Sequence, residues 1–376
     1  MKVMSVFGTR PEAIKMAPLV KKLNADPDIE SVLCVTAQHR EMLDQVLELF
    51  ELKPDYDLNI MKPNQTLAMI TANVLTGMED VLIKEKPDIV LVHGDTSTTF
   101  SAALAAFYQK IPVGHVEAGL RTYDMYSPFP EEVNRVLTGH MASIHFAPTE
   151  RNRSNLMKEG IPEDRIAITG NTVVDALLEV AGKPYEFEDE TLKNIDFENK
   201  RVIAVTCHRR ENLGEYMVHI FSAIREIAEE FEDVEVVYPV HLNPKVRATA
   251  NEILSGCENV HLIDPLSYQP FVNLMAKSYF IITDSGGMQE EAPSLGKPVL
   301  VVRRETERPE ALAAGTVKLA GVEQATIAAM ARELLTDRSA YDAMAHAENP
   351  YGDGHACEKI IEALKNMKWP EGAINE

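Results

Sequence analysis

Three acidic residues stand just past short apolar runs, where a strand can end. They are Asp95 in His93-Gly94-Asp95-Thr96, Glu117 in His115-Val116-Glu117-Ala118, and Glu131 in Pro128-Phe129-Pro130-Glu131. Two of them have a bland explanation to weigh. Asp95 can cap a helix, and Glu131 with Glu132 can favour a helix dipole. Glu117 has no capping role at a strand end. Three carboxyl groups after consecutive sheet elements would converge on one rim and read together as an acid–base set. Clustered carboxylates repel, so at least one is expected to keep a raised pKa.

Other polar groups fall at the same kind of position. In Gly8-Thr9-Arg10-Pro11-Glu12, Thr9 and Glu12 have capping-box spacing and Pro11 suits a first turn, which leaves Arg10 and Lys15 as a candidate anion site. Cys207-His208-Arg209-Arg210 follows another apolar run and suits a phosphate or leaving-group contact; Cys207 reads as a small buried residue before it reads as a nucleophile. His241 and the run Arg304–Glu310 also end apolar stretches. Arg304–Glu310 can hold a ribose or pyrophosphate, or be a solvated charge run. Thr283-Asp284-Ser285-Gly286-Gly287 leads into Met288-Gln289-Glu290-Glu291. Bare backbone N–H groups at a helix start suit phosphate, and Glu290 or Glu291 can reach a sugar hydroxyl. The turn therefore points to a nucleotide sugar, although an ordinary strand–turn–helix joint would look the same.

Short apolar runs alternating with longer amphipathic stretches position these residues, a pattern of parallel βα units. The first series of strands is expected at Lys2–Phe7, Ser31–Thr36, Asp88–Val92, Pro112–Val116 and Ser143–Ala147. Helices are expected at Pro11–Asn24, Arg40–Phe50 and Thr96–Gln109. The charged run Gly182–Lys200 reads as loop. A second series follows at Arg201–Thr206, Val234–Val240, Val260–Ile263, Tyr279–Thr283 and Pro298–Val302. The expected fold class is α/β, with two Rossmann-like domains facing across a cleft and ligands at the carboxyl ends of the strands.

Bulk properties narrow the function. The 376 residues favour two domains. A formal net charge of -21 argues against nucleic acid, which demands a basic face. Four scattered cysteines without metal-ligand spacing suggest a reducing compartment and no metal site. Met1–Phe7 reads as a strand and not a signal peptide, and no apolar run has the length of a membrane span. A cytoplasmic protein is expected. GxGxxG and Walker A signatures are missing, which weakens nicotinamide and P-loop chemistry.

Seven segments in order then carry a family resemblance: FGTRPEAIKMAPL (7–19), HGDTSTT (93–99), HVEAGLRT (115–122), PFPEEVNR (128–135), HRREN (208–212), TDSGGMQEEAPSLGKPVL (283–300) and ETERPEA (305–311). Over nearly its whole length the chain resembles the bacterial non-hydrolysing UDP-N-acetylglucosamine 2-epimerases. The resemblance implies a glycosyltransferase-B-like fold. Its first domain would span 1–170 and its second 171–357, with a last helix, about 358–376, packing back on the first. It also implies reversible interconversion of UDP-GlcNAc and UDP-ManNAc by elimination to 2-acetamidoglucal and UDP, without added cofactor, usually in a homodimer. Domain closure would keep the glycal and UDP together.

Residue by residue, the resemblance makes Asp95, Glu117 and Glu131 the catalytic acids and His208 a partner for departing UDP. Arg10, Lys15, Phe271, Ser285, Gly286, Gly287, Glu291 and Arg308 would bind the nucleotide sugar. Gln38, Arg209, Glu211 and His241 match a second UDP-GlcNAc site, an activator pocket. Glu41 and Asn64 depart from the usual Gln and Arg there, which would weaken an anionic activator. A hydrolysing epimerase, a glycosyltransferase of the same architecture and a non-catalytic nucleotide-sugar sensor are the alternatives.

Overall fold

A computed structural model describes residues 1–37, 40–62 and 64–367. It divides into two compact units, Met1–Ala176 with Tyr351–Glu376, and Leu177–Pro350. The first division falls at 176/177, inside helix Thr172–Ala181, and not at 170/171: the first half of that helix belongs with the first unit, where Asp175 accepts from Cys357 N at 2.9 Å. The return to the first unit begins at Tyr351, before the expected 358. Within that unit helix Ala356–Asn366 lies on helix Arg10–Ala25, and Lys365 pairs with Asp26 at 2.7 Å.

The strands are β1 (Lys2–Phe7), β2 (Glu30–Val35), β3 (Tyr56–Asp57), β4 (Ile89–His93), β5 (Val113–Val116), β6 (Ile144–Ala147) and β7 (Ile166–Ile168) in the first unit. The second unit has β8 (Arg201–Thr206), β9 (Val234–Pro239), β10 (Val260–Ile263), β11 (Phe280–Thr283), β12 (Val299–Val301) and β13 (Val317–Leu319). The sheet orders are β3-β2-β1-β4-β5-β6-β7 and β10-β9-β8-β11-β12-β13. Every pairing is parallel, with Phe7 opposite Val35, His93 opposite Val116 and Thr283 opposite Thr206. Each unit is therefore a Rossmann-like α/β layer structure, as expected.

The cores explain why the strands read as unbroken apolar runs. Helices cover both faces of a parallel sheet, so strand side chains are buried on either side. Met4, Val6, Val90 and Val92 pack with helix residues Val74, Met78 and Ala102 in the first unit. Val205, Val236 and Ile282 pack with Ile220, Phe221 and Ile224 in the second. Strand order reverses direction between β1 and β4, and again between β8 and β11. In open sheets such a switch point opens a crevice at the carboxyl ends of the strands.

Candidate active site

At the switch point of the first unit, β1 hands over to a tightly packed loop. A Cβ on Gly8 would come 1.9 Å from Thr36 Oγ1 and 2.7 Å from Thr98 Oγ1, so only glycine fits. Thr9 and Glu12 form the expected capping box on helix Arg10–Ala25. Glu12 does more than cap. Its Oε2 accepts from the N–H groups of Gly8 at 3.1 Å and Thr9 at 2.8 Å, and its Oε1 from the hydroxyls of Thr96 at 2.6 Å and Thr99 at 3.1 Å. It thus ties the loop after β1 to the loop after β4. Burial pushes its carboxyl up, against those hydrogen bonds. Arg10 lies half-buried at the helix start.

Asp95 is not the cap of the next helix. Thr96 takes that role, accepting from Thr99 N at 3.1 Å. The Asp95 carboxylate instead meets Arg135 Nη2 at 2.6 Å, and its carbonyl accepts from Asn134 Nδ2 at 2.9 Å. Both partners belong to helix Glu131–Met141, whose first residue, Glu131, lies one turn from Arg135 on the same face. One oxygen of Glu131 is buried without a hydrogen-bond partner among the described residues. Its neighbour Glu132 is structural: it accepts from Thr122 N at 3.1 Å, Tyr123 N at 2.9 Å and Arg135 Nη1 at 3.0 Å.

Glu117 holds a left-handed backbone, φ 61°, which a side-chain-bearing residue adopts at a cost. That conformation turns it off the end of β5. Its carboxylate is paired with Lys15, accepts from Asn171 Nδ2 at 2.9 Å and lies 3.4 Å from His93 Nε2. Burial opposes its ionisation, but the Lys15 cation and the Asn171 hydrogen bond outweigh burial and hold the carboxyl well below the usual range. The expectation of a raised pKa therefore fails at Glu117, because Lys15 pairs with the acid it was expected to help only as an anion ligand. Gly94, at φ 67°, passes beside it: a Cβ there would sit 3.4 Å from Glu117 Oε2. The loops of Asp95 and Glu117 are thus neighbours.

Behind these loops three histidines are buried. Burial depresses His93 to about 4, His115 to about 4 and His145 to about 3, so all three rings are neutral. His115 Nε2 donates to Gly94 O at 2.7 Å, which steadies the turn carrying Asp95. Asn171 and Arg135 were not singled out from the sequence. Arg135 closes the PFPEEVNR motif. Asn171 follows β7, a three-residue strand too short to signal itself.

At the switch point of the second unit, β8 and β11 end beside each other. Ser285 N–H donates to Thr283 Oγ1 at 2.9 Å. The helix after the glycine pair is only Met288–Glu291, followed by a 3-10 turn, Ala292–Leu295. It is shorter than the strand–turn–helix reading assumes, so its dipole supplies less. Guanidinium groups supply the positive charge. A Cβ on Gly286 would lie 3.8 Å from Arg209 Nη2 and 4.0 Å from Arg308 Nη2. Glu290 is buried and paired with Arg308, so it has no freedom to reach a sugar. Glu291 turns toward the glycines, with Oε1 3.2 Å from a Cβ placed on Gly287.

Phe271, Ser285, His208, Tyr238 and His241 line a cavity of about 220 Å³ in this unit. The His208 and His241 rings stack at 5.2 Å with 10° between planes. Asp284 staples the His208 loop, accepting from the N–H groups of His208 and Arg209 at 2.8 Å each. Cys207 is buried and burial pushes its thiol well up, so it is no nucleophile. Arg304 stacks on Tyr216 at 5.5 Å, and Glu211 pairs with Arg303 at 2.7 Å. Of the residues matched to an activator pocket, Arg209 sits at the glycine turn and His241 on His208. Gln38 lies outside the described residues. Glu41 is exposed in the first turn of helix Arg40–Leu49, and Asn64 is exposed at φ 59°.

Comparison with known proteins agrees with this arrangement. The family model described as UDP-N-acetylglucosamine 2-epimerase matches residues 21–365. The UDP-N-acetylglucosamine 2-epimerase of Salmonella typhimurium is 58% identical over 98% of this chain and 99% of its own. The crystal structure of UDP-GlcNAc 2-epimerase from Neisseria meningitidis bound to UDP-GlcNAc is 56% identical, with a TM-score of 0.84 over 98% of this chain and 100% of that one. The glycotransferase of kitacinnamycin, at 12% identity and a TM-score of 0.63 over 96% of this chain and 98% of its own, shares the fold alone. Family model, identity and strand order point the same way: the chain belongs to the UDP-N-acetylglucosamine 2-epimerase family.

Proposed function

We propose that the protein interconverts UDP-GlcNAc and UDP-ManNAc without net hydrolysis, by eliminating UDP and adding it back. The observation that carries this reading is Glu117, a buried carboxylate held ionised by Lys15 beside His93, with Asp95 on the neighbouring loop. The proton at C2 of the sugar is not activated by a carbonyl, so removing it alone is too costly. In the proposed step a carboxylate takes that proton and the C–H pair forms the C1–C2 double bond. As that double bond forms, the C1–O bond breaks with its pair going to the β-phosphate of UDP. Re-addition delivers a proton to the opposite face, which calls for a second acid–base group. Asp95, Glu117 and Glu131 form this set.

The second unit supplies the nucleotide handle in this reading. Ser285, Gly286 and Gly287 offer backbone groups to the diphosphate, with Arg209 and Arg308 beside them. Phe271 and Glu291 hold the uridine, Arg10 completes the sugar-nucleotide contacts, and His208 meets the departing oxygen. The family resemblance supports a cytoplasmic homodimer that supplies UDP-ManNAc to cell-surface polysaccharide synthesis. Activation by a second UDP-GlcNAc is proposed to be weak, given Glu41 and Asn64. A steep, cooperative rise in rate when traces of UDP-GlcNAc are added to pure UDP-ManNAc would refute that.

The deciding experiment follows UDP-GlcNAc by NMR in D2O. Deuterium at C2 together with UDP-ManNAc is expected. Free ManNAc and UDP would indicate the hydrolysing reaction, and turnover without label at C2 would overturn the elimination.

A further inference from the structure

His208 and Asp284 come from the two strand ends that flank the second switch point. Asp284 is fully buried. Its Oδ2 accepts three hydrogen bonds, from His208 N and Arg209 N at 2.8 Å each and from Asn212 Nδ2 at 3.1 Å. Its other oxygen, Oδ1, has no hydrogen-bond partner among the described residues and lies 3.6 Å from His208 Nδ1. Leaving one oxygen of a buried carboxylate unpaired is costly, whereas the staple needs only Oδ2. The geometry thus separates two jobs on one side chain.

We propose that Asp284 is a positioning residue for His208: Oδ1 accepts the Nδ1–H of the ring, fixes its tautomer and leaves Nε2 for the ligand. The proposal rests on the reading of His208 as the group that meets departing UDP. An N–H···O bond spans about 2.7–3.2 Å, so a small turn of the partly exposed ring closes the present separation. Such contacts in unliganded sites often tighten when substrate arrives.

The surroundings make the carboxylate necessary. Burial is the largest influence lowering the pKa of His208, and stacked His241 and neighbouring Arg209 push the same way. Asp284 alone opposes them. The Cys207 thiol also faces Asp284 and stays protonated. When the C1–O bond breaks, its pair goes to the β-phosphate oxygen. A His208 ring protonated on both nitrogens donates Nε2–H to that oxygen, while Nδ1–H stays with Asp284. The proton returns to Nε2 on re-addition.

Asp284→Asn tests this, because the amide oxygen can keep the staple while its NH2 group faces Nδ1 and forces the other tautomer. The expected results on the full chain are a fall in kcat of roughly 100-fold or more, UDP affinity nearly unchanged by calorimetry, and an alkaline limb of the kcat–pH profile moved to lower pH. In 15N NMR of the UDP-bound protein, with His208 assigned from His208→Gln, the neutral ring should change from the Nδ1–H to the Nε2–H form. In the His208→Gln background Asp284→Asn should add little. An unchanged tautomer, or an equal further loss in that background, would overturn the proposal. The tautomer is read without turnover, so a wild-type protein that fails to label C2 would sink the elimination reading and leave this test intact.

Discussion

In the first unit the crevice between β1 and β4 is crowded with carboxylates, and two of them meet a cation: Glu117 with Lys15, Asp95 with Arg135. In the second unit the same crevice, between β8 and β11, has a glycine turn, arginines and stacked histidines. The strand order is the same in both apart from the extra edge strand β7 of the first. Topology therefore fixes where a ligand is held and leaves open which chemistry happens there. That is decided by the few residues after each strand. In the proposed reading the first unit moves protons and the second grips a diphosphate.

The largest expected effect separates the units by acid. His93, His115 and His145 are buried neutral in the first unit, depressed to about 4, about 4 and about 3. Once unfolded, the same rings bind protons below about 6.5. The unfolded chain therefore carries more protons than the folded one between about 6.5 and 4, and stability falls as pH drops through that window, by about 1.4 kcal/mol per pH unit for each histidine. Glu117, held low, adds a further loss below the ordinary carboxylate range. In the second unit His208 is only partly buried and its shift is smaller in consequence. Hydrogen exchange at pH 7 and pH 5 should show the first unit opening by several kcal/mol more easily at pH 5, and the second changing less. Equal loss in both would break the contrast.

Next in size is the chemistry itself. Glu117→Gln removes a proton acceptor but keeps the side-chain volume, so turnover should fall by about 10²–10⁴-fold. UDP affinity, assigned to the other unit, should change little. Asp95→Asn should behave alike and leave Arg135 with a neutral partner. If either variant lost UDP affinity in step with turnover, the division into proton chemistry and nucleotide handle would fail.

Much of this was legible because a parallel sheet places function after strand ends. The motifs after β1, β4 and β5 do bring Lys15, Asp95 and Glu117 to neighbouring positions. What misled was pairing across long separations. Lys15 and Glu117 are 102 residues apart, so nothing local announced that the cation would depress the acid and not bind an anion alone. Capping stayed open for Asp95 beside its acid–base reading because Asp commonly caps, but Thr96 offers the hydroxyl one residue later. Strands β3, β7 and β13 span two or three residues and carry no periodicity. The run read as loop, Gly182–Lys200, holds a short helix, Glu190–Asn194, capped by Asp189, and Phe187 is buried there against Phe197.

A smaller effect is expected at the glycine turn. Gly286→Ala would place a methyl group between Arg209 and Arg308, where the proposed diphosphate lies. Apart from its chain neighbours, no atom of the described residues comes closer than 3.8 Å to that carbon, so the fold should tolerate it. A weakening of one charge-assisted contact corresponds to about tenfold in UDP affinity, with kcat at saturation preserved. Loss of kcat with affinity intact would move bond-breaking into the second unit.

The smallest prediction concerns how the two turns treat their helix starts. In the first unit Thr9 accepts from the Glu12 N–H of helix Arg10–Ala25, and the Glu12 carboxylate accepts from the N–H groups of Gly8 and Thr9, which fixes the start of the helix that carries Lys15 to Glu117. In the second, Gly287 precedes its helix with no side-chain cap, which suits the proposed diphosphate contact. Thr9→Ala should cost about 1 kcal/mol or less of stability, since the Thr9–Glu12 bond is long at 3.5 Å and Glu12 keeps its other donors. Turnover should fall slightly and UDP affinity not at all. Thermal melts with paired kinetics check this: a drop in turnover far beyond the stability loss would mean that the cap, and not Glu12, sets the position of Lys15.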